Sequence, residues 1–149
     1  MNVENVLKNK NPEVYTIHVD AVVCDALKIM NEKRIGALMV LDDEEQVAGI
    51  LTERDITRSC FHTQANVKSL GVKDIMTGKK DLVVARAEDN IEQLMVLMTE
   101  KRIRHIPIVD PHGKLVGMVS IGDVVKALIT DKDHQISHLK DYIENKYPL

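Results

Sequence analysis

No charge of one sign dominates this chain: 20 lysines and arginines stand against 23 acidic residues, a formal net of −3, in mixed order over 149 residues. Without a broad positive field there is nothing to hold a polyanionic backbone, so nucleic acid is not an expected partner. A small phosphorylated ligand is still allowed, because a phosphate needs only a few local donors or a helix N-terminus. Cysteine is scarce. Cys24 and Cys60 are far apart and neither belongs to a CxxC pair, which excludes a disulfide framework and suits a reducing interior. No run approaches the ~18 apolar residues of a membrane span. The opening MNVENVLKNKNPEVYT lacks the charged-then-apolar order of a secretory signal, so the expected location is the cytoplasm, with no membrane partner. A P-loop, a nucleophile elbow and a metal-ligand cluster are also missing, which argues against an enzyme.

What is present is an ordinary globular composition, 44% apolar and 29% charged, in a chain of one domain's length. Its strongest feature is a repeat. Shifting the chain so that Met30 meets Met98 lays MNEKRIGALMVLDDEEQVAGILTERDITR over MTEKRIRHIPIVDPHGKLVGMVSIGDVVK without a gap. Two copies of about 60 residues are too few for a solenoid, which needs about three, so they must pack on each other. That gives a pseudo-two-fold module with a cleft on each side of the axis.

Each copy reads as β-α-β-β-α, an α/β (α+β) architecture. Val23, Ala26, Leu27 and Met30, with their counterparts Ile91, Leu94, Met95 and Met98, recur at helical spacing and predict helices over 21–34 and 89–102. Short apolar runs at Ala37–Leu41 and Val47–Leu51, and at Ile106–Val109 and Leu115–Val119, flank the turn-rich DDEEQ and DPHGK and predict two hairpins. Thr52 and Ser120 stand where strand gives way to a further helix. A short strand is expected before each first helix, at Tyr15–Val19 and at Leu82–Ala85. The division is 14–60 for one repeat, 61–72 for a polar linker and 73–130 for the other. Residues 1–10 suggest a short leading helix and 131–149 a separate terminal one, with Ile136, Leu139 and Ile143 on one face, free to dock on its own module or on a second chain.

The strings RIGALMVLDDEEQVAGILTERD and RIRHIPIVDPHGKLVGMVSIGD resemble the two halves of a CBS-domain pair, or Bateman module, and VKDIMT resembles the segment that opens its second repeat. The resemblance covers about residues 14–130 and is closest to small stand-alone bacterial proteins of this family. It implies a non-catalytic regulatory module in which AMP, ADP, ATP, S-adenosylmethionine or a dinucleotide such as NAD(H) binds between repeats. It also implies a homodimer and an effector protein that receives the signal. The family's [ST]-x-x-D motif, whose Asp holds the ribose hydroxyls, occurs twice, as Thr52-Glu53-Arg54-Asp55 and Ser120-Ile121-Gly122-Asp123.

An ionised carboxylate accepts both vicinal hydroxyls of a ribose, and a hydroxyl with the first N–H groups of a helix suits a phosphate. The same four-residue pattern is also a capping box, which needs no ligand. On the capping reading the module is a ligand-free interaction or dimerisation scaffold. Arg104 and His105 stand where related modules place basic residues on phosphates, against Gly36 and Ala37 in the first copy, so the two clefts are not equivalent; the other cleft has Arg54 and Arg58 instead. Gly36 either lets a base approach the backbone or ends a helix. By resemblance Thr16 borders the adenine and Met76 and Thr77 lie at the mouth of the second repeat. His134 and His138, four apart, lack the glutamate of a zinc-protease helix and suit a solvated face.

Overall fold

The computed structural model describes residues 1–11, 13–63 and 66–146; the expected linker at Gln64 and Ala65 and the last residues of the expected terminal helix, 147–149, lie outside the described residues. The repeat seen in the sequence is a repeat in space. Helices α2 (Val23–Lys33) and α5 (Ile91–Lys101) bury Val23, Ala26, Met30 and Ile91, Leu94, Met98, and each ends on an arginine in the left-handed conformation, Arg34 at φ 54° and Arg102 at φ 55°. Two antiparallel hairpins follow, β2 (Ala37–Leu41) with β3 (Val47–Thr52) and β5 (His105–Val109) with β6 (Leu115–Ser120). Their turns are built alike. Asp42 Oδ1 accepts the N–H groups of Glu44 and Gln46, and Asp110 Oδ1 those of His112 and Lys114, all at 2.9 Å. Both turns then need a left-handed residue, Glu45 at φ 59° and Gly113 at φ 79°.

The first strands differ between copies. β1 (Thr16–His18) runs parallel to β2, and with β4 (Thr77–Gly78) on the far side of β3 it makes a four-stranded sheet in the order β1-β2-β3-β4. The strand expected at Leu82–Ala85 does not form: only Ala85 pairs, as a single bridge to Ile108. Proline explains the loss. In the first copy Met39 N–H donates to the Tyr15 carbonyl at 3.1 Å, whereas the residue in Met39's place is Pro107, which has no N–H to extend the ladder.

The short leading helices trade places. α1 (Val3–Lys8) buries Val3 and Val6 in the core of the second repeat, beside Ile91, Leu94, Ile106 and Val124. α4 (Val72–Ile75) buries Val72 in the core of the first, beside Val23, Leu38 and Leu51. The backbone bonds match: Val3 N–H to the Asp89 carbonyl at 2.9 Å, and Val72 N–H to the Ala21 carbonyl at 2.8 Å. A third cluster, Ala37, Met39 and Ile50 with Leu82, Leu115 and Met118, joins the two hairpins across the pseudo-two-fold axis.

After β3 comes α3 (Glu53–Thr63), which reaches into the segment expected to be linker; after β6 comes α6 (Ile121–Lys146). The expected break near residue 131 is absent. The last helix of the second repeat and the terminal helix are one 26-residue element. No glycine or proline interrupts Val124 to Lys146, so nothing stops the helix. Its distal part leaves Ile129, Ile136, Leu139, Tyr142 and Ile143 exposed. Among the described residues no helix is long and apolar enough to cross a membrane.

Candidate functional site

Both [ST]-x-x-D motifs sit at the passage from hairpin to helix, and both are capping boxes. Thr52 N–H and its hydroxyl donate to Asp55 Oδ2 at 3.0 and 3.1 Å, and Asp55 N–H donates back to Thr52 Oγ at 3.2 Å. In the second copy Ser120 N–H donates to Asp123 Oδ2 at 2.8 Å and Asp123 N–H to Ser120 Oγ at 3.2 Å. Each helix is further pinned by its first N–H, which meets a carbonyl just before the neighbouring strand: Glu53 to Gly36 at 3.0 Å, Ile121 to Arg104 at 2.9 Å.

The two carboxylates then part company. The second oxygen of Asp55 accepts only the Thr77 hydroxyl, at 3.3 Å, and looks into a cavity of about 510 Å³, within the size range of small-molecule sites. Its walls bring together seven of the other residues singled out in the sequence: Thr52, Arg54, Arg58, Thr77 and Gly36, with Arg104 and His105 of the second copy. The basic residues expected in two separate clefts therefore line a single one, because each repeat contributes to the same wall. Thr16 and Met76 are not among the lining residues. Thr16 is exposed on β1, and Met76 packs against the first repeat's core. Ser120 and Asp123 are not in this cavity either.

Cations gather at the cavity: Arg54, Arg58, Lys101, Arg102 and Arg104, against the carboxylates of Glu53, Asp55 and Asp81. Among the described residues none of those five cations has an ion-pair partner. Arg54 is fixed by donating from Nη1 to the Arg102 carbonyl at 2.6 Å, a bond between the two repeats. A cluster of unpaired like charges around an open cavity is a place for an anion. His105 is half-buried, and its burial pulls its pKa below the ordinary histidine value; the nearby carboxylates of Glu53 and Asp123 oppose the shift without cancelling it. The shift favours the neutral imidazole. Space at Gly36 is tight: a β-carbon there would stand 3.3 Å from Glu53 Oε2 and 3.4 Å from His105 Cε1.

Asp123 meets a different environment. Lys10, on the stretch after α1, donates from Nζ to Asp123 Oδ2 at 2.7 Å and to the Met118 carbonyl at 2.8 Å. Burial works against the charged carboxylate, but the hydrogen bond from Lys10 and that from the Ser120 N–H outweigh it and hold the Asp123 pKa below the ordinary value. Lys10 was not foreseeable, being 113 residues from its partner. Lys101 and Arg102 carried a signal, since the string Glu-Lys-Arg-Ile recurs in both copies.

His134 and His138 lie on an exposed stretch of α6. Among the described residues, one group has metal-ligand proximity, His18, Asp20 and Asp43. All three are exposed, and His18 Nε2 is already hydrogen-bonded to Asp43 Oδ1 at 2.7 Å.

Known proteins share this arrangement. The family model for the CBS domain matches twice, at residues 3–62 and 72–130. A CBS domain-containing protein of Arabidopsis thaliana mitochondria, CBSX3, is 42% identical over 130 residues, 86% of this chain; the match spans 63% of that relative's own length. The solved structure of a putative signal-transduction protein with CBS domains from Burkholderia ambifaria superposes with a TM-score of 0.82 at 41% identity, covering 88% of this chain and 96% of that one. A structure of CBSX2 in complex with AMP matches with a TM-score of 0.73 at 28% identity, covering 88% and 98%. Two matched copies of the family model and close superposition on solved CBS proteins point the same way: this chain is a member of the CBS-domain family, carrying a tandem CBS pair.

Proposed function

We propose that the chain is a non-catalytic regulatory module that takes one adenine nucleotide, AMP, ADP, ATP or NAD(H), in the cavity beside Asp55 and passes the signal to a partner protein. The observation that carries this reading is the cavity itself, where a carboxylate whose outer oxygen accepts only a threonine hydroxyl shares the walls with five cations, drawn from both repeats, that have no ion-pair partner among the described residues. Asp55 accepts the ribose hydroxyls, and Arg54, Arg58 and Arg104 take the phosphates, with a helix N-terminus beside them. Thr52 serves as the cap that aims Asp55, and Thr77 as a neighbour that a ribose hydroxyl would join or replace. His105 and Gly36 lie side by side in this wall, where the missing β-carbon keeps the backbone accessible between Glu53 and His105. The AMP in the structure of CBSX2, a relative of the same fold, supports the ligand class.

Because the walls come from both repeats, a ligand that binds one relative placement of the repeats more tightly shifts the chain toward it. Output through a second copy is part of the reading. The exposed Ile129, Ile136 and Ile143 recur every seven residues on α6, a spacing suited to a helix from another chain. A cytoplasmic setting is part of the same proposal.

The test is thermal unfolding with AMP, ADP, ATP, NAD⁺, NADH and S-adenosylmethionine, repeated on Asp55→Ala. A ligand at ~100 times its dissociation constant adds about 2.7 kcal/mol, a rise of a few degrees for a chain this size. The rise should vanish in Asp55→Ala. Failure of every ligand to raise the midpoint would turn the reading to a scaffold whose two motifs are caps alone.

A further inference from the structure

The two motifs share the [ST]-x-x-D pattern, but their aspartates meet different neighbours, and the largest difference is one side chain. Among the described residues no cation is paired with the carboxylate of Asp55, and its outer oxygen meets a neutral hydroxyl. At Asp123 the ammonium of Lys10 sits 2.7 Å from Oδ2 and 2.8 Å from the Met118 carbonyl, so two of the acceptors at this corner are already served by the chain itself. The stretch that brings Lys10 there is held in place. α1 is anchored to the second repeat through its backbone bonds and through Leu7, whose side chain lies against Gly117 on β6 so closely that a β-carbon at Gly117 would meet Leu7 Cδ2 at 2.8 Å. Lys10 and Asp123 are both shielded from solvent, with side chains 31% and 21% exposed, so the pair is stronger than an ordinary surface ion pair.

We propose that Lys10 is a built-in occupant of the second ribose-type site, so that the chain takes one nucleotide and not two. The proposal rests on the nucleotide reading of the Asp55 cavity. A ribose hydroxyl is a neutral donor: to bond Asp123 Oδ2 it must displace a charge-assisted bond and leave an ammonium with one carbonyl partner, and to bond Oδ1 it must come in beside that ammonium. At Asp55 it displaces nothing stronger than a threonine hydroxyl. The asymmetry therefore sets stoichiometry: the pseudo-two-fold axis generates two candidate sites, and the leading segment closes one. Removing the ammonium while keeping an aliphatic stem, as in Lys10→Met, leaves the packing of α1 and frees Asp123.

Calorimetric titration with AMP and with ATP decides it, on the full chain, alongside Lys10→Met, Lys10→Gln and the double variant Lys10→Met with Asp123→Ala. Far-ultraviolet circular dichroism and the unfolding midpoint verify that each variant is folded. The expected result is one nucleotide bound per chain, two in either folded Lys10 variant, and one again in the double variant. A wild-type chain that binds two, or folded Lys10 variants that still bind one, would overturn the role given to Lys10 and leave the Asp55 site standing. No binding of either nucleotide to the wild-type chain or to the Lys10 variants would overturn the nucleotide reading as well. The two failures are thus told apart by whether the wild-type titration shows heat of binding.

Discussion

The two halves of this chain are nearly the same at the level of backbone and different wherever a single side chain departs from the repeat. Left-handed arginines end both first helices, aspartates staple both hairpin turns, and both [ST]-x-x-D segments cap a helix. Yet Pro107 removes a strand that Met39 permits, Gly122 stands where Arg54 bridges the repeats, and Lys10 fills one corner while Thr77 leaves the other open. The lesson is that duplication preserves what the backbone needs, and function is written in the positions where the copies disagree.

The comparison is broken most forcefully in the cores. Leu38→Ala in the first and Ile106→Ala in the second empty fully buried positions and should each cost about 2–5 kcal/mol. Since each core contains a helix from the other half, both variants should lower one shared transition in urea. Two separated transitions would show that the halves unfold independently. Next come the motif aspartates. Asp55→Ala should weaken nucleotide binding by roughly ten- to a hundredfold, the range for hydrogen bonds to a charged group, while Asp123→Ala leaves affinity within about twofold; isothermal titration compares them. Both should lose about 1 kcal/mol of stability as caps, so a variant that loses stability and keeps full affinity identifies a cap alone.

A smaller effect tests the turns. Gly113→Ala places a β-carbon at positive φ and should destabilise by about 1 kcal/mol, whereas Glu45→Gly at the matching position should stabilise by a few tenths to about 1 kcal/mol. Opposite signs in chemical denaturation are the expected outcome; equal signs would mean that the two turns are not alike. The smallest effect is on pH dependence. Burial holds the folded His105 below its unfolded pKa of about 6.5, so the unfolded chain takes up a proton first, and stability declines as pH falls below about 6.5. Asp123 has the opposite charge type and a lower window. Its folded pKa is also depressed, so its contribution is whole above about 3.9 and is lost only as pH falls from there. His105→Gln should flatten the loss of stability between pH 7 and 5.5 relative to the parent, and an unchanged slope would remove His105 as the cause.

Much of the fold was legible because its information is local. The helices at Val23–Lys33 and Ile91–Lys101 and the two hairpins follow from spacing and turn residues within a few positions of one another. The missing strand at Leu82–Ala85 was legible only in part: Pro107 is plain in the sequence, but its effect falls on a segment more than twenty residues away. The merger of the terminal helix with the second repeat was signalled by an uninterrupted run without glycine or proline, which the change in apolar spacing masked. The site divided in the same manner. Asp55, Arg54, Arg58, Thr77, Arg104 and His105 meet in one cavity, whereas the partner of Asp123 comes from the far end of the chain, where no pattern links Lys10 to it.

The exchange of leading helices sets an order on synthesis. α1 is made first, but the surface that receives Val3 and Val6 includes Ile106, Ile108, Val119 and Val124, so for most of translation those valines have nowhere to go. Closing a contact of that span is slow relative to pairing a hairpin. The first half can receive its own missing piece, Val72, far earlier. α1 therefore cannot dock, nor Lys10 reach Asp123, until the chain has been made through the end of the second hairpin and the start of α6.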